Sequence, residues 1–190
     1  MNVNDALKSR RTIRKFEQTP ITKEQLEKYI DAARVAPSAA NLQPLKYAAV
    51  HSHEMADKMF ELVKWAGYLA PEYNPKKGER PTAYIVVCAD TSIRKAGYDL
   101  DVGAAVENMI LSALEDGVGS CWMGSIDRKK IAELLNIPET MEISCLLARG
   151  DPSESPKEVD VEDDNIKYYL VDKTLCVPKR SLDDVIIKMV

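Results

Sequence analysis

The sequence predicts an α+β fold, in which a small sheet, mostly antiparallel or mixed, is flanked by helices. Three observations carry that prediction. Thr82–Ala89 is an almost continuous apolar run of strand length, suited to a sheet covered on both faces. From Leu100 to Asp116, Val102, Ala105, Met109, Ile110, Ala113 and Leu114 recur at helical spacing, with Gly103 and Ala104 permitting close packing. Shorter strand and helix signals alternate around these two, with no internal repeat and no linker between two cores. The 190 residues are therefore read as a single domain, 1–190, with an extended segment over 151–180 and a terminal helix over 181–190.

The elements follow in order. Asn4 or Asp5 is positioned to cap a short helix through Leu7 and Lys8, and Phe16 closes the basic stretch after it with a buried anchor. Thr22-x-x-Gln25 is a capping-box pattern, and Leu26, Tyr29, Ile30 and Ala33 give the helix behind it one apolar face. Pro37 ends that helix near Ala36, because the residue before a proline is pushed out of the helical region. Pro37 to Pro44 reads as a loop of small residues and amides, and Leu45–His51 as a strand. A helix from about Glu54 to Lys64 leads into Trp65–Arg80, rich in proline, glycine and aromatics, which reads as an irregular loop or lid.

After the Leu100–Asp116 helix, Gly117 is a natural end signal. Gly119–Gly124 reads as a short strand ending in a glycine turn. Asp127 caps a helix carrying Ile131, Leu134 and Leu135, and Glu142–Ala148 is another buried strand. Asp151–Asp164 holds seven acids against one lysine, with no sustained apolar period, and reads as an exposed excursion. Tyr168–Val171 and Val177–Ser181 follow, and Ser181-x-x-Asp184 is a capping-box pattern for a helix running to the terminus.

Composition narrows the function. A net charge of −4 argues against general nucleic-acid binding, which needs broad positive surface. No apolar run is long enough for a transmembrane helix, and the start lacks a signal-peptide core. Cys88, Cys121, Cys145 and Cys176 are scattered, without metal-ligand spacing, and fit free thiols in a reducing cytoplasm. His51 and His53 are the only histidines, so neither a zinc site nor a Ser/His/Asp or Cys/His apparatus has raw material.

Against that background Ser9–Phe16 stands out. Arg10, Arg11, Arg14 and Lys15 fall within six residues, with the hydroxyl of Thr12 among them. Guanidinium groups beside a hydroxyl are what a phosphate dianion requires, since arginine supplies bidentate charge-assisted hydrogen bonds. A solvated basic turn is the competing reading of these residues alone.

Three segments in this order and spacing, Ser9-Arg-Arg-Thr-Ile-Arg-Lys-Phe16, Pro37-Ser-Ala-Ala-Asn-Leu-Gln-Pro44 and Gly119-Ser-Cys-Trp-Met-Gly124, resemble the FMN-dependent nitroreductase family. The closing Pro178-Lys-Arg-Ser-Leu-Asp-Asp184 looks like that family's last segment. The resemblance implies a nitroreductase-like fold with the flavin at a homodimer interface. By position it implies that Arg10 and Thr12 bind phosphate or ribityl oxygens with Arg11 beside them, and that Arg14 lies near the pyrimidine edge of the flavin. Lys179 and Arg180 would complete the phosphate clamp. Pro37, Ser38, Ala39 and Asn41 would line the flavin of the other subunit, and the backbone at Met123 and Gly124 would meet the N5–O4 edge. Thr12 stands where serine is common, and Leu45 replaces a frequent tryptophan. Asn74, Lys76 and Lys77 lie where the family has further polar flavin contacts, and equally read as solvated loop. Trp65, Tyr68 and Tyr73 read as a lid or as packing on the partner.

The implied activity is an FMN-dependent NAD(P)H oxidoreductase. NADH or NADPH would deliver hydride to flavin N5, and an electron-poor acceptor such as a nitroaromatic or quinone would then take the electrons. Catalytic side chains are not expected, because the cofactor carries the chemistry. Flavin reduction, a specialised reductive activity on the same fold, and a non-catalytic phosphate-binding module remain the alternatives.

Overall fold

A computed structural model describes residues 1–190, and its element order follows the sequence pattern closely. Helices α1 (Val3–Ser9) and α2 (Lys23–Arg34) precede strand β1 (Leu45–Val50) and helix α3 (His53–Phe60). Strand β2 (Ala83–Asp90), helix α4 (Asp99–Glu115), strand β3 (Gly119–Met123), helix α5 (Arg128–Leu135) and strand β4 (Met141–Gly150) complete the body. A second sheet holds β5 (Lys157–Asp160), β6 (Tyr169–Val171) and β7 (Thr174–Lys179), and α6 (Leu182–Val185) follows.

The main sheet has the order β1-β2-β4-β3 and is antiparallel throughout. Strand β2 sits inside it with seven of its eight residues buried, and alternation splits them between two cores. Ala83, Ile85, Val87 and Ala89 face the α2/α4 layer, while Tyr84, Val86 and Cys88 face the layer of α3, α5 and the basic segment. Burying Ile85, Val86 and Val87 contributes about 1.5–3 kcal/mol each, so this strand is the spine of the molecule. The second sheet is mixed, with β5 parallel and β6 antiparallel to β7. The α+β expectation therefore holds in both sheets.

Local chemistry sets the helix ends. Thr22 Oγ1 accepts from the Gln25 amide at 3.2 Å and the Gln25 side chain returns to the Thr22 amide at 2.9 Å, so the capping box forms as read. Asp127 caps α5 as expected, and Asn136 ends it in the left-handed region.

Three expectations are corrected. Asn2, not Asn4 or Asp5, caps α1: its Oδ1 accepts from the Asp5 amide at 3.0 Å, and the helix swallows the later candidates. The 151–164 stretch is no simple excursion, because Lys157–Asp160 pairs with β7. The terminal helix stops at Val185. Its capping box forms, but β-branched Val185, Ile186 and Ile187 are poor helix formers, and Leu182 and Val185 find nothing to pack on. Residues 186–190 run on without helix.

Candidate functional site

The basic segment lies across one end of the main sheet. Thr12 bridges to Ser120 of β3 in parallel sense, the Ile13 amide donates to the Ser120 carbonyl at 2.9 Å, and Phe16 bridges to Pro152 just past β4. Two glycines make room for this crossing. Gly119 and Gly150 are cross-strand partners, and a Cβ would crowd the segment at the first and collide with it at the second. At Gly119 it would lie 3.0 Å from Ile13 Cβ, and at Gly150 2.9 Å from Phe16 Cδ1. The sheet thus carries a notch, and Ile13 and Phe16 are the side chains that drop into it. With those two buried, Arg10, Arg11, Thr12, Arg14 and Lys15 are left half-buried around them.

Each cation has a defined neighbour. Arg10 Nε lies 3.5 Å from Glu107 Oε1 on α4. Arg11 is paired with Glu158 of β5, which ties the second sheet to the segment. The Arg14 guanidinium stacks 4.7 Å from the Tyr168 ring, and Lys15 lies 4.6 Å from the Tyr73 ring. Glu154 gathers three donors: the Arg14 amide at 2.5 Å, the Lys15 amide at 3.2 Å and the Tyr73 hydroxyl. Burial, reinforced by that carboxylate, pushes the Tyr73 phenol well above its ordinary range.

The Trp65–Arg80 segment is an irregular loop, as read, but two of its three aromatics belong to the core. Trp65 and Tyr73 are buried and Trp65 stacks on Phe60, whereas Tyr68 is exposed against Tyr168. Asn74, directly after Tyr73, keeps a buried Oδ1 with no partner. At the far end of β3, Met123 is buried and Trp122 is half exposed. A Cβ on Gly124 would meet nothing within 4 Å, so the backbone there faces open space. Four residues of strand from Ser120 to Gly124 span roughly 13 Å. That suits an extended mononucleotide with its phosphate at the basic segment and its ring towards Gly124. Cations with a hydroxyl at one end and an open backbone at the other, with the orphaned Asn74 oxygen next to the Tyr73 that Glu154 ties to the basic segment, make a set of polar groups that fits FMN.

The remaining predicted residues lie elsewhere in the chain. Lys179 ends β7, and Arg180 just after it has its Nη1 2.8 Å from Oδ1 of Asp164, in the turn between β5 and β6. No hydrogen bond or ion pair joins either to Arg10 or Thr12. Pro37 and Ser38 lie on the other side of the sheet, lining a cleft of about 160 Å³ between α2, α4 and β1, and Ala39 and Asn41 follow in the same loop as exposed residues. Asp101 of α4, 4% exposed, holds that loop: Ser38 Oγ donates to its Oδ2 at 2.6 Å and the Ala39 amide to its Oδ1 at 3.2 Å. Ala40, Asn41 and Gln43 all adopt positive φ, each costing about 1–2 kcal/mol for a residue with a Cβ.

Several of these groups escape a reading of the sequence. Asp101 looks like one more polar residue at a helix start, and Glu154 and Glu158 vanish into an acidic run. Arg149 sits where a strand pattern predicts an apolar side chain. It is fully buried, donates to Ser120 Oγ, lies 5.5 Å from the Tyr29 ring and leaves Nε and Nη2 without partners. Burial pushes its guanidinium down to about 9, so it stays charged at neutral pH. The one available signal was the basic segment itself, whose charges require acids somewhere in the fold. No group of His, Cys, Asp or Glu has metal-holding geometry, and no helix is long and apolar enough to cross a membrane.

Comparison with known proteins agrees with this architecture. A provisionally named NADH dehydrogenase/NAD(P)H nitroreductase of Archaeoglobus fulgidus is 36% identical over 162 residues, covering 82% of this chain and 88% of that protein. The NADPH-flavin oxidoreductase of Vibrio harveyi is 27% identical over 173 residues, covering 82% of this chain and 68% of that one. Among solved structures, an FMN-dependent nitroreductase of Clostridium difficile superimposes with a TM-score of 0.69 at 27% identity, over 85% of this chain and 93% of that one. The nitroreductase family profile matches residues 7–151, and the chain belongs to that family.

Proposed function

We propose that this protein is a homodimeric FMN-dependent NAD(P)H oxidoreductase that reduces electron-poor acceptors such as nitroaromatics or quinones. The observation that carries the reading is the seating of the Arg10–Phe16 segment in the Gly119–Gly150 notch, which fixes cations and a hydroxyl at one end of β3 while the backbone at Gly124 stays open at the other. Bound FMN would supply the redox chemistry, accepting hydride from NADH or NADPH and passing electrons to the acceptor in alternating half-reactions.

The chain's own task is then binding, orientation and electrostatics. Arg10 and Thr12 would take the phosphate, with Lys179 and Arg180 contributing from the second sheet. Arg14 would hold the pyrimidine edge, where a positive charge favours uptake of electrons. Arg11, engaged with Glu158, would tether the second sheet beside the phosphate rather than clamp the phosphate alone. Met123 and Gly124 would give the ring a backbone contact at its opposite edge. The loop from Pro37 to Asn41, remote from the basic segment within one chain, would line the flavin of the partner. Exposed apolar side chains at Leu100, Leu182, Val185, Ile187 and Met189 support a second copy as the missing cover. The four thiols are all unpaired, consistent with a cytoplasmic protein.

Purified protein should be yellow or become so with FMN, and NADH or NADPH should bleach it without oxygen. Losing a charged hydrogen bond costs about 1.5–3 kcal/mol, so Arg10→Ala should weaken FMN binding at least about tenfold. Protein that takes up no FMN refutes the reading. Binding without bleaching by either nucleotide refutes the oxidoreductase activity and leaves a phosphate-binding module. A steady-state survey of nitroaromatics, quinones and free flavin with both nucleotides assigns the acceptor.

A further inference from the structure

We infer that Asp101 is a positioning residue: its buried carboxylate sets the shape of the Pro37–Gln43 loop that lines the flavin. The inference rests on the reading of that loop given above. Both carboxylate oxygens are used. Oδ2 accepts from Ser38 Oγ at 2.6 Å, and Oδ1 accepts from the Ala39 amide at 3.2 Å, with Arg94 Nη1 3.5 Å from the same Oδ1. Ser38 Oγ in turn accepts from the Gln43 amide at 2.9 Å. The hydroxyl therefore donates inward and accepts from the loop's far end, so both ends of the loop converge on one carboxylate. Between them Ala40 and Asn41 take left-handed backbone, and Gln43 Nε2 donates to the Asn41 carbonyl at 3.1 Å.

The contrast in exposure gives this arrangement its meaning. Ala39, Ala40, Asn41, Leu42 and Gln43 are all exposed, while their anchor is 4% exposed. A buried carboxylate is expensive unless it is hydrogen-bonded and paired, and here the hydrogen bonds come from the loop's own hydroxyl and amide, with the Arg94 guanidinium nearby as counter-charge. The loop's backbone is also costly on its own and would relax to commoner conformers if released. A strained, exposed loop held from beneath by a buried charge is a surface preorganised for a ligand outside its own chain. Asp101 touches neither cofactor nor substrate in this account. It acts through Ser38 and Ala39.

The test uses full-length Asp101→Asn and Ser38→Ala. Asparagine keeps the shape but offers one acceptor where two are needed. Ser38→Ala breaks the convergence while leaving the Arg94–Asp101 pair, so it keeps the test alive should Asp101→Asn fail to fold. FMN affinity is read by flavin fluorescence, and melting is measured with and without saturating FMN. The expected result is an FMN Kd raised about tenfold or more in both variants, with the gain in melting temperature on adding FMN reduced. A purely structural role would lower both melting temperatures equally and leave Kd unchanged, and that result overturns the inference while the cofactor reading survives. A wild-type protein that binds no FMN overturns both together.

Discussion

Gly150→Ala is the sharpest probe of the notch that seats the basic segment. The new Cβ would stand 2.9 Å from Phe16 Cδ1 and 3.0 Å from Phe16 Cβ and Cγ, closer than carbon atoms tolerate. Neither side has room to yield. Gly150 is held in the β3–β4 ladder opposite Gly119, and Phe16 is fully buried. Its amide is tied to the Glu79 carbonyl at 3.0 Å, and the next amide, Glu17, to Asp151 at 2.8 Å. Overpacking of this kind costs about 1–3 kcal/mol, and two fixed backbones place it in the upper half of that range. Replacing glycine by alanine returns about 0.4–1 kcal/mol through the unfolded chain. The net loss is about 1–2.6 kcal/mol, which for a domain of this size lowers the melting point by roughly 2–10 °C. Gly124→Ala is the control, because its Cβ meets nothing within 4 Å and should leave melting unchanged or slightly raised. Differential scanning calorimetry of the two variants decides it. A Gly150→Ala protein melting at or above the wild-type temperature would refute the notch as a close-fitting seat.

Other perturbations separate the remaining forces. Arg149→Met removes a buried cation that has one hydrogen bond and two unpartnered nitrogens, so urea unfolding should show a gain of about 1–4 kcal/mol. A loss would mean that the guanidinium has an anionic partner in solution. Glu154→Ala strips a carboxylate from two backbone amides and the Tyr73 hydroxyl, and should cost about 2 kcal/mol or more by the same assay. It should also weaken FMN binding if the segment needs that brace; equal affinity would show that it does not. Burial pushes the Cys88 and Cys121 thiols up to about 11 from an ordinary value of 9.0. Their raised values mean that the folded state favours the neutral thiol, so this stability is fully present below pH 9 and is lost as pH rises towards 11. Each thiol contributes up to about 2–3 kcal/mol of that loss. Unfolding free energies at several pH values, with thiol titration of the native protein alongside, check the sign. Stability flat to pH 11 would contradict it.

The architecture was legible because its signals are local and the core obeys them. Strand β2 announces itself as an unbroken apolar run, and Thr22-x-x-Gln25 forms the box its spacing requires. The Ser181 box formed too, yet its helix ended after one turn, because capping cannot replace an apolar face with somewhere to go. The cations of the site were legible for a different reason: four in six residues are improbable without a task. Their partners were not. Glu154 and Glu158 lie about 140 residues further along, in a stretch whose composition alone reads as solvent-facing. The notch was equally hidden, since Gly119 and Gly150 look like two turn signals until the ladder sets them opposite each other and lays Ile13 and Phe16 over them. Asp101 shows the same limit, as its role exists only once α4 meets the loop before β1.

The bridge between Thr12 and Ser120 has one more effect. Strand β3 is the outermost strand of the main sheet on its side, and an unguarded outer strand is a template on which a second chain can grow. Here the first residues of β3 are covered by the basic segment, whose clustered positive charge repels another copy of itself. The segment read as the cofactor's holder therefore also shields the sheet against polymerisation. Loosening it, by Gly150→Ala or by loss of Glu154, should show first as turbidity on standing at high protein concentration, before any loss of secondary structure.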